Sequence, residues 1–463
     1  MSAVEEAARG PERREREAWV VIDLGFGDAG KGSCVDFLCR ARGAHTVVRW
    51  HGGAQAGHNV VTADGRHHTF SQLGAGSFAG AETLLAGDFV LHPTALLAEA
   101  AALEAKGVAD PLGRVRVDGA ARVITPWHQA SNRLRELARG AGAHGTCGVG
   151  FGETVRLSLE APELTIRARD LWRPAALPRR LAEVRERVRD ELAELLPALR
   201  SVEGAAEELA LLEDGASGER WIEALAPLLS RELLGGGEAL EAALARPGAV
   251  VFEGAQGVLL DEWRGFHPHT TWSTCTSHGV QPLLAGYGGE VTRLGVLRSY
   301  ATRHGAGPFP THDPAMAHAE PHNGAAGWQG AFRQGPLDLV LLRYALAVSP
   351  VDALALTHVD RVRGPWPIVR RYAESRALLE GGVRLAVSPE LEDLAFQTRL
   401  RALLDEARPE RETVEGAEAL VATLEAELEA PVRLLSAGPT ADAKRWRDAP
   451  LVESALRAPP SSP

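Results

Sequence analysis

The stretch Ile22-Asp23-Leu24-Gly25-Phe26-Gly27-Asp28-Ala29-Gly30-Lys31-Gly32-Ser33 decides how the rest of the chain is read. The apolar run Trp19 to Ile22 ahead of it reads as a buried strand, and Cys34 to Arg42 behind it as a helix. A strand that stops at glycines and restarts as a helix leaves several backbone N–H groups aimed at one place, where the helix dipole also favours an anion. Phosphate suits that place. Gly27, Gly30 and Gly32 form the nest, Lys31 adds a mobile positive charge, and Asp28 can hold a metal ion or act as a base. A Walker A loop would follow its lysine with Ser or Thr, whereas Gly32 here displaces the hydroxyl to Ser33. Lys31 is also one of three lysines, with Lys106 and Lys444, in a chain whose Lys and Arg total 50, so its compact ammonium stands out where arginine is the usual cation. The plainer alternative is a tight strand-to-helix turn in which Asp28 caps the helix.

Around this loop, composition sets bounds. With 463 residues, 45% hydrophobic and 24% charged, the chain has the balance of a soluble globular protein. No apolar run approaches the roughly 20 residues needed to span a bilayer, and the mixed charges from Glu5 to Glu15 lack the apolar core of a signal peptide. Four scattered cysteines without a CxxC pair argue against a disulfide framework or structural zinc and for a reducing cytoplasm. A net charge of -11 argues against general affinity for nucleic acid or anionic membrane and leaves room for a local basic pocket for phosphates. Residues 1–18 are expected to be a disordered leader and 456–463 a disordered tail, leaving 19–455 as one domain.

Outward from the loop, short β-like runs alternate with helical ones. His45 to Trp50, Asp88 to Leu91, Arg114 to Val117, Ala249 to Glu253, Arg293 to Ser299, Ala353 to Thr357 and Val432 to Leu435 read as strands. Pro93 to Lys106, Pro126 to Arg139 and Glu415 to Glu429 read as helices. Ala, Leu, Glu and Arg at helical spacing from about 175 to 247 predict a helical subdomain with a solvated charged face. The fold class expected is α/β, with a large, mostly parallel central sheet flanked by helices, and ligands at the strand ends.

Four further segments carry chemistry. Arg49-Trp50-His51-Gly52-Gly53-Ala54-Gln55-Ala56-Gly57-His58-Asn59 puts a histidine after glycines that let substrate approach closely. Together with the first loop, with Phe252-Glu253-Gly254-Ala255-Gln256-Gly257 and Leu259-Leu260-Asp261, and with Thr302-Arg303-His304-Gly305-Ala306-Gly307-Pro308-Phe309-Pro310-Thr311, it resembles adenylosuccinate synthetase in order and spacing. That family uses GTP and Mg²⁺ to join aspartate to IMP. The resemblance runs from about Trp19 to Pro439 and implies that Asp28 removes the N1 proton of IMP and ligates Mg²⁺. It implies that His58 bonds the transferring phosphoryl group, with Lys31 offsetting the growing negative charge. Gly57 then matches a backbone metal ligand, and Gln256 and Thr271 match IMP contacts. Thr146 sits where a threonine holds the 5′-phosphate. Asp360 in Leu356-Thr357-His358-Val359-Asp360 matches the guanine reader, facing the wall Ser436-Ala437-Gly438-Pro439. A cytoplasmic homodimer is the family's expectation.

Departures from the family's pattern fall on substrate positions. Its glutamate after the loop aspartate is Ala29, its loop tryptophan is Phe26, and its His-Asn pair before Ala-Gly-His is Ala54-Gln55, which leaves Gln55 as the candidate contact there. A Gly-Ile-Gly-Pro motif is reduced to Gly150-Phe151-Gly152-Glu153, and the lysine ahead of the guanine-reading aspartate is His358. The arginine-rich loop that grips aspartate is Ala325-Ala326-Gly327-Trp328-Gln329-Gly330-Ala331-Phe332-Arg333, keeping only Arg333. A contact to a charged group contributes roughly 1.5–3 kcal/mol, so the loss predicts weak aspartate binding unless Arg303 and His304 compensate. Trp328 and Phe332 suit a more apolar amine. Three readings follow: the family reaction, a specialised variant with another amine or purine nucleotide, and a nucleotide-binding regulator without turnover.

Overall fold

Strand β1 (Arg16–Asp23) lies at the centre of a nine-stranded sheet, and its alternate residues feed two separate cores. Trp19 and Val21 point into one, Ala18, Val20 and Ile22 into the other. A strand buried on both faces belongs in a parallel sheet covered by helices on each side. The structure, a computed structural model, describes residues 16–447 apart from 144, 174, 322–327 and 329. Most of the expected leader, the tail from 456, and Ala325, Ala326, Gly327 and Gln329 of the donor loop therefore lie outside the described residues. Residues 16–18, read as leader, instead begin β1, because Glu17 and Ala18 pair with neighbours on both sides.

The other strands are β2 (Thr46–Arg49), β3 (Glu82–Leu85), β4 (Val115–Val117), β5 (Gly248–Gly257), β6 (Glu290–Arg298), β9 (Ala353–Thr357), β10 (Val432–Ser436) and β11 (Lys444–Trp446). Between β6 and β9 in sequence, β7 (Ala301–His304) and β8 (Phe332–Gly335) form a separate antiparallel pair. The sheet order is β11-β10-β9-β6-β1-β5-β2-β3-β4, parallel throughout except for the edge strand β11. This is the large, mostly parallel sheet expected from the sequence. Its strands at β1, β6, β9 and β10 end side by side, so the segments that follow them are neighbours.

Helix α1 follows the glycine loop at Lys31–Arg42, with Gly30 as its N-cap at φ 95° and Gly43 closing it at φ 59°. It starts three residues earlier than the apolar pattern suggests. Helices α2 (Pro126–Arg139) and α3 (Phe151–Glu160) bracket the loop that contains Thr146. The stretch expected as a helical subdomain holds α4 (Leu177–Leu192) and several shorter helices. It is tied to α2 by Arg135–Glu191 at 3.1 Å and Arg133–Glu208 at 2.7 Å. Helix α5 (Leu339–Val348) is capped by the buried Asp338, whose carboxylate accepts the N–H groups of Val340 and Leu341. Among the described residues, no helix is long and apolar enough to cross a membrane.

Candidate active site

At the end of β1, Asp23 turns inward and the glycine loop wraps around it. One carboxylate oxygen accepts the N–H groups of Gly25 at 2.8 Å and Gly27 at 3.2 Å; the other accepts Ala29 N–H at 2.7 Å and Lys31 Nζ at 3.0 Å. Lys31 also donates to the Gly27 carbonyl at 2.8 Å, and neither side chain of the Asp23–Lys31 pair is exposed. This corrects two expectations. The lysine is pinned in a buried ion pair rather than mobile, and three of the loop amides serve an internal anion. Burying such a pair is costly without further hydrogen bonds, and the three amides supply them. The loop needs glycine where other backbone approaches: a Cβ on Gly257 would stand 2.1 Å from the Gly25 carbonyl, and one on Gly32 would stand 2.7 Å from His58 Cβ.

Asp28, at the loop's crest, has a side chain 21% exposed and faces His304 Nε2 at 3.9 Å. Burial pushes its carboxyl above the ordinary value, His304, Arg298 and Lys31 opposing the rise and Asp23 reinforcing it. It shares the wall of a cavity of about 50 Å³ with Phe26, Arg298, Tyr300 and Asp338. His58 is buried against Gly32, with Nδ1 2.5 Å from Glu253 Oε1 and Nε2 3.1 Å from the Ala255 carbonyl oxygen. A carboxylate and a carbonyl thus flank the ring, so a proton on either nitrogen has an acceptor facing it. Burial pulls the His58 pKa down, Glu253 pushes it up, and Arg49 and His58 help hold Glu253 below its usual range.

The amide atoms of Gln55 and Gln256 are buried without partners, and both amides lie against the glycine pair Gly52–Gly53. Unpaired buried amides next to glycines are the condition of a polar ligand site, since each forgoes its hydrogen bonds until something enters. Gly57, beside them in sequence, is exposed. Thr146 is half-buried, its hydroxyl accepting from Asn132 Nδ2 at 2.9 Å and its backbone N–H donating to Glu136 at 3.3 Å. Thr271 is half-buried and its N–H donates to the Leu260 carbonyl at 2.8 Å.

Asp360 follows β9 and Ser436 ends β10, paired strands in which Leu356 stands beside Leu435. Asp360 is half-buried, with Arg361 Nε at 3.5 Å. Ser436 donates to the Gly438 carbonyl at 3.1 Å, and Lys444 closes that turn by donating to the carbonyls of Gly438, Pro439 and Thr440. His358, in the left-handed region at φ 57°, accepts from Arg298 at 2.7 Å and contacts Thr357 Oγ1. Thr357 in turn donates to the Ala29 carbonyl at 2.7 Å, which joins the β9 end to the glycine loop.

Arg303 and Arg333, expected as substrate contacts, give their hydrogen bonds to backbone carbonyls. They stand opposite each other across the β7–β8 pair. Arg303 donates to the carbonyls of Ala306 at 3.0 Å, Pro308 at 3.1 Å and His269 at 3.4 Å, and lies 4.1 Å over the Phe26 ring. Arg333 donates to Gly305 at 2.6 Å and Gly307 at 3.0 Å. Both therefore clamp the Gly305–Pro308 turn, the several donors of each guanidinium reaching more than one carbonyl. Phe332 packs on His304, ring centroids 4.7 Å apart, and faces Arg298 at 5.9 Å. Arg298 itself pairs with Glu320 at 2.6 Å. Asp23, Glu253, Arg298 and Lys444 were not singled out as site residues from the sequence, although the isolation of Lys444 among arginines was a usable signal.

Comparison with known proteins adds a second line. A family model described as adenylosuccinate synthetase matches residues 20–444. An adenylosuccinate synthetase of Aliivibrio fischeri is 34% identical over 363 residues, covering 74% of this chain and 77% of that one. The structure of fully ligated adenylosuccinate synthetase from Plasmodium falciparum superposes with a TM-score of 0.70 at 21% identity, covering 93% of this chain and 99% of that chain. Cyanophage S-2L succinoaminodeoxyadenylate synthetase, bound to dGMP and dATP as an energy donor, superposes with a TM-score of 0.50 at 16% identity, over 94% and 96% of the two chains. At those identities the two structures speak for the fold alone.

Proposed function

Because the chain belongs to the adenylosuccinate synthetase family, ligases that form a carbon–nitrogen bond, we propose that it activates the 6-oxo group of a purine nucleotide with GTP and then joins an amine to that carbon. The observation that carries this reading is Asp28: a partly open carboxylate with a raised pKa, set on a loop already braced by Asp23 and Lys31. In the proposed reaction Asp28 takes the N1 proton of IMP while the 6-oxygen attacks the γ-phosphorus, and the bond to GDP breaks. His58 meets the transferring phosphoryl oxygens. The amine nitrogen then attacks C6, and phosphate leaves. Gln55 and Gln256, with Thr146 and Thr271, hold the purine nucleotide in this reading; Gly27, Gly30, Lys31 and Gly32 lie along the triphosphate, and Asp360, Ser436 and Gly438 hold guanine.

No cluster of three or more potential metal-ligating side chains exists among the described residues. That fits Mg²⁺, which keeps waters and takes one or two carboxylates together with substrate phosphates. Asp28 and the carbonyl of the exposed Gly57 would hold it, and the ion would neutralise phosphate charge. By the same family likeness the protein works as a cytoplasmic homodimer, which sedimentation would test.

The identity of the amine is a separate matter. With Arg303 and Arg333 donating to backbone carbonyls and Phe332 packed beside His304, the donor side favours an amine less acidic than aspartate. Incubation with GTP, Mg²⁺ and IMP, with amino acids screened for phosphate release, tests both statements. Turnover with an apolar amino acid supports this reading, and turnover with aspartate at an ordinary KM refutes the donor preference. Nucleotide binding without phosphate release for any amine would instead support a regulatory role.

A further inference from the structure

His58 is anchored unequally at its two nitrogens. Nδ1 sits 2.5 Å from Glu253, while Nε2 makes a longer contact, 3.1 Å, to the Ala255 carbonyl. Glu253 is wholly buried, and its second oxygen accepts Ala75 N–H at 3.0 Å, so the carboxylate cannot turn away without leaving that amide unpaired. It is also rooted in the middle of the sheet, in register with Val21 of β1 and Arg49 of β2. The Ala255 carbonyl, by contrast, precedes Gln256, whose amide atoms have no partner. One end of the imidazole is therefore fixed to a strand paired on both sides, and the other rests on a backbone oxygen beside the Gln256 side-chain amide.

We propose that Glu253 is the positioning residue of phosphoryl transfer: it gives His58 Nδ1 a fixed pivot, about which the ring turns Nε2–H from the Ala255 carbonyl onto a phosphoryl oxygen. This rests on the reading of His58 as the residue that meets the transferring group. Glu253 touches no substrate and exchanges no atoms with it; its effect passes entirely through the imidazole, as carboxylates that orient histidines act elsewhere. The arrangement separates it from a residue that only closes the fold, because a pivot governs rate while the nucleotide is bound by other groups.

Glu253→Gln keeps the shape, Glu253→Asp keeps the charge, and each can be combined with His58→Asn. In phosphate-release assays with GTP, Mg²⁺ and the amine found by screening, Glu253→Gln is expected to lower kcat by about 10–100-fold, with the KM for GTP changed less than about threefold. Glu253→Asp should recover part of the rate, and Glu253→Gln should add no further loss to His58→Asn. Losses that multiply in the double variant, or a lowered melting temperature with kcat retained, overturn the proposal. A second readout is independent of turnover: the short Nδ1 hydrogen bond should give a downfield imidazole proton resonance in the wild type, absent from Glu253→Gln and from His58→Asn, and moved by GTPγS with Mg²⁺. Should the wild type release no phosphate with any amine, the functional reading falls and this resonance decides alone. Its presence with a nucleotide-dependent shift supports the pivot, and its absence or indifference to nucleotide overturns it.

Discussion

The two sides of the site use their cations in opposite ways. On the glycine-loop side each nitrogen donor faces a buried carboxylate, Lys31 on Asp23 and His58 on Glu253. On the β7–β8 side Arg303 and Arg333 face no carboxylate within the hydrogen bonds described above and give their nitrogens to the carbonyls of a turn. A cation held by a carboxylate has a partner of equal strength that a phosphate could rival, whereas one holding several carbonyls is part of the backbone's own scaffolding. Proximity of arginine to a site is thus a poor measure of its capacity for anions; what counts is where the N–H groups already point.

The comparison is broken most sharply at Asp28. Asp28→Asn removes the base while keeping its size, and phosphate release should fall by roughly 10²–10⁴-fold, measured at saturating nucleotide. Next in size is Asp23→Ala, which strands Lys31 and three amides; unfolding in urea should register a loss of about 3–5 kcal/mol. Adding Lys31→Met to that variant should return part of the loss, because the uncompensated charge is gone. On the other side, Arg303→Met should cost about 1–3 kcal/mol for the carbonyls left unpaired, with the KM for the amine nearly unchanged. A change in amine KM larger than the change in stability would put Arg303 back among the substrate contacts.

The smallest effect is a slope. Asp338 lines the cavity that also reaches Asp28, and burial raises its pKa from 3.8 to about 6. Between those values the folded chain holds a proton that the unfolded chain releases. The stability this group contributes is therefore full below 3.8 and is lost as pH rises through about 6. Asp338→Asn, which can still cap α5, should flatten the dependence of melting temperature on pH across that window.

Local patterns carried the reading of the fold. Ala353 to Thr357 has the bounds expected from its apolar run, and the β1–loop–α1 unit is announced by glycines between two apolar segments. Strand β3 is hard to read because Glu82–Leu85 is short and half polar, whereas of the more apolar run Asp88 to Leu91 only Val90–Leu91 forms a strand, and outside the main sheet. The site was legible as residue types and illegible as partners. Glu253 and His58 lie 195 positions apart, and only the pairing of β5 with β1 and β2 brings the carboxylate under the ring. Asp23 is bound mainly by backbone amides, which leave no mark in a sequence. Arg303, expected as a substrate contact, gives its hydrogen bonds to carbonyls of a turn, because a guanidinium's identity does not disclose which oxygens it has found.

The hydrogen bond from Thr357 to the Ala29 carbonyl, with Gly30 packed against the same threonine, makes the glycine loop and the turn ahead of Asp360 behave as the two jaws of a caliper. Their gap is set by protein covalent geometry and one short bond, and a ligand that touches both jaws cannot widen it cheaply. The length of such a ligand therefore counts alongside its chemistry.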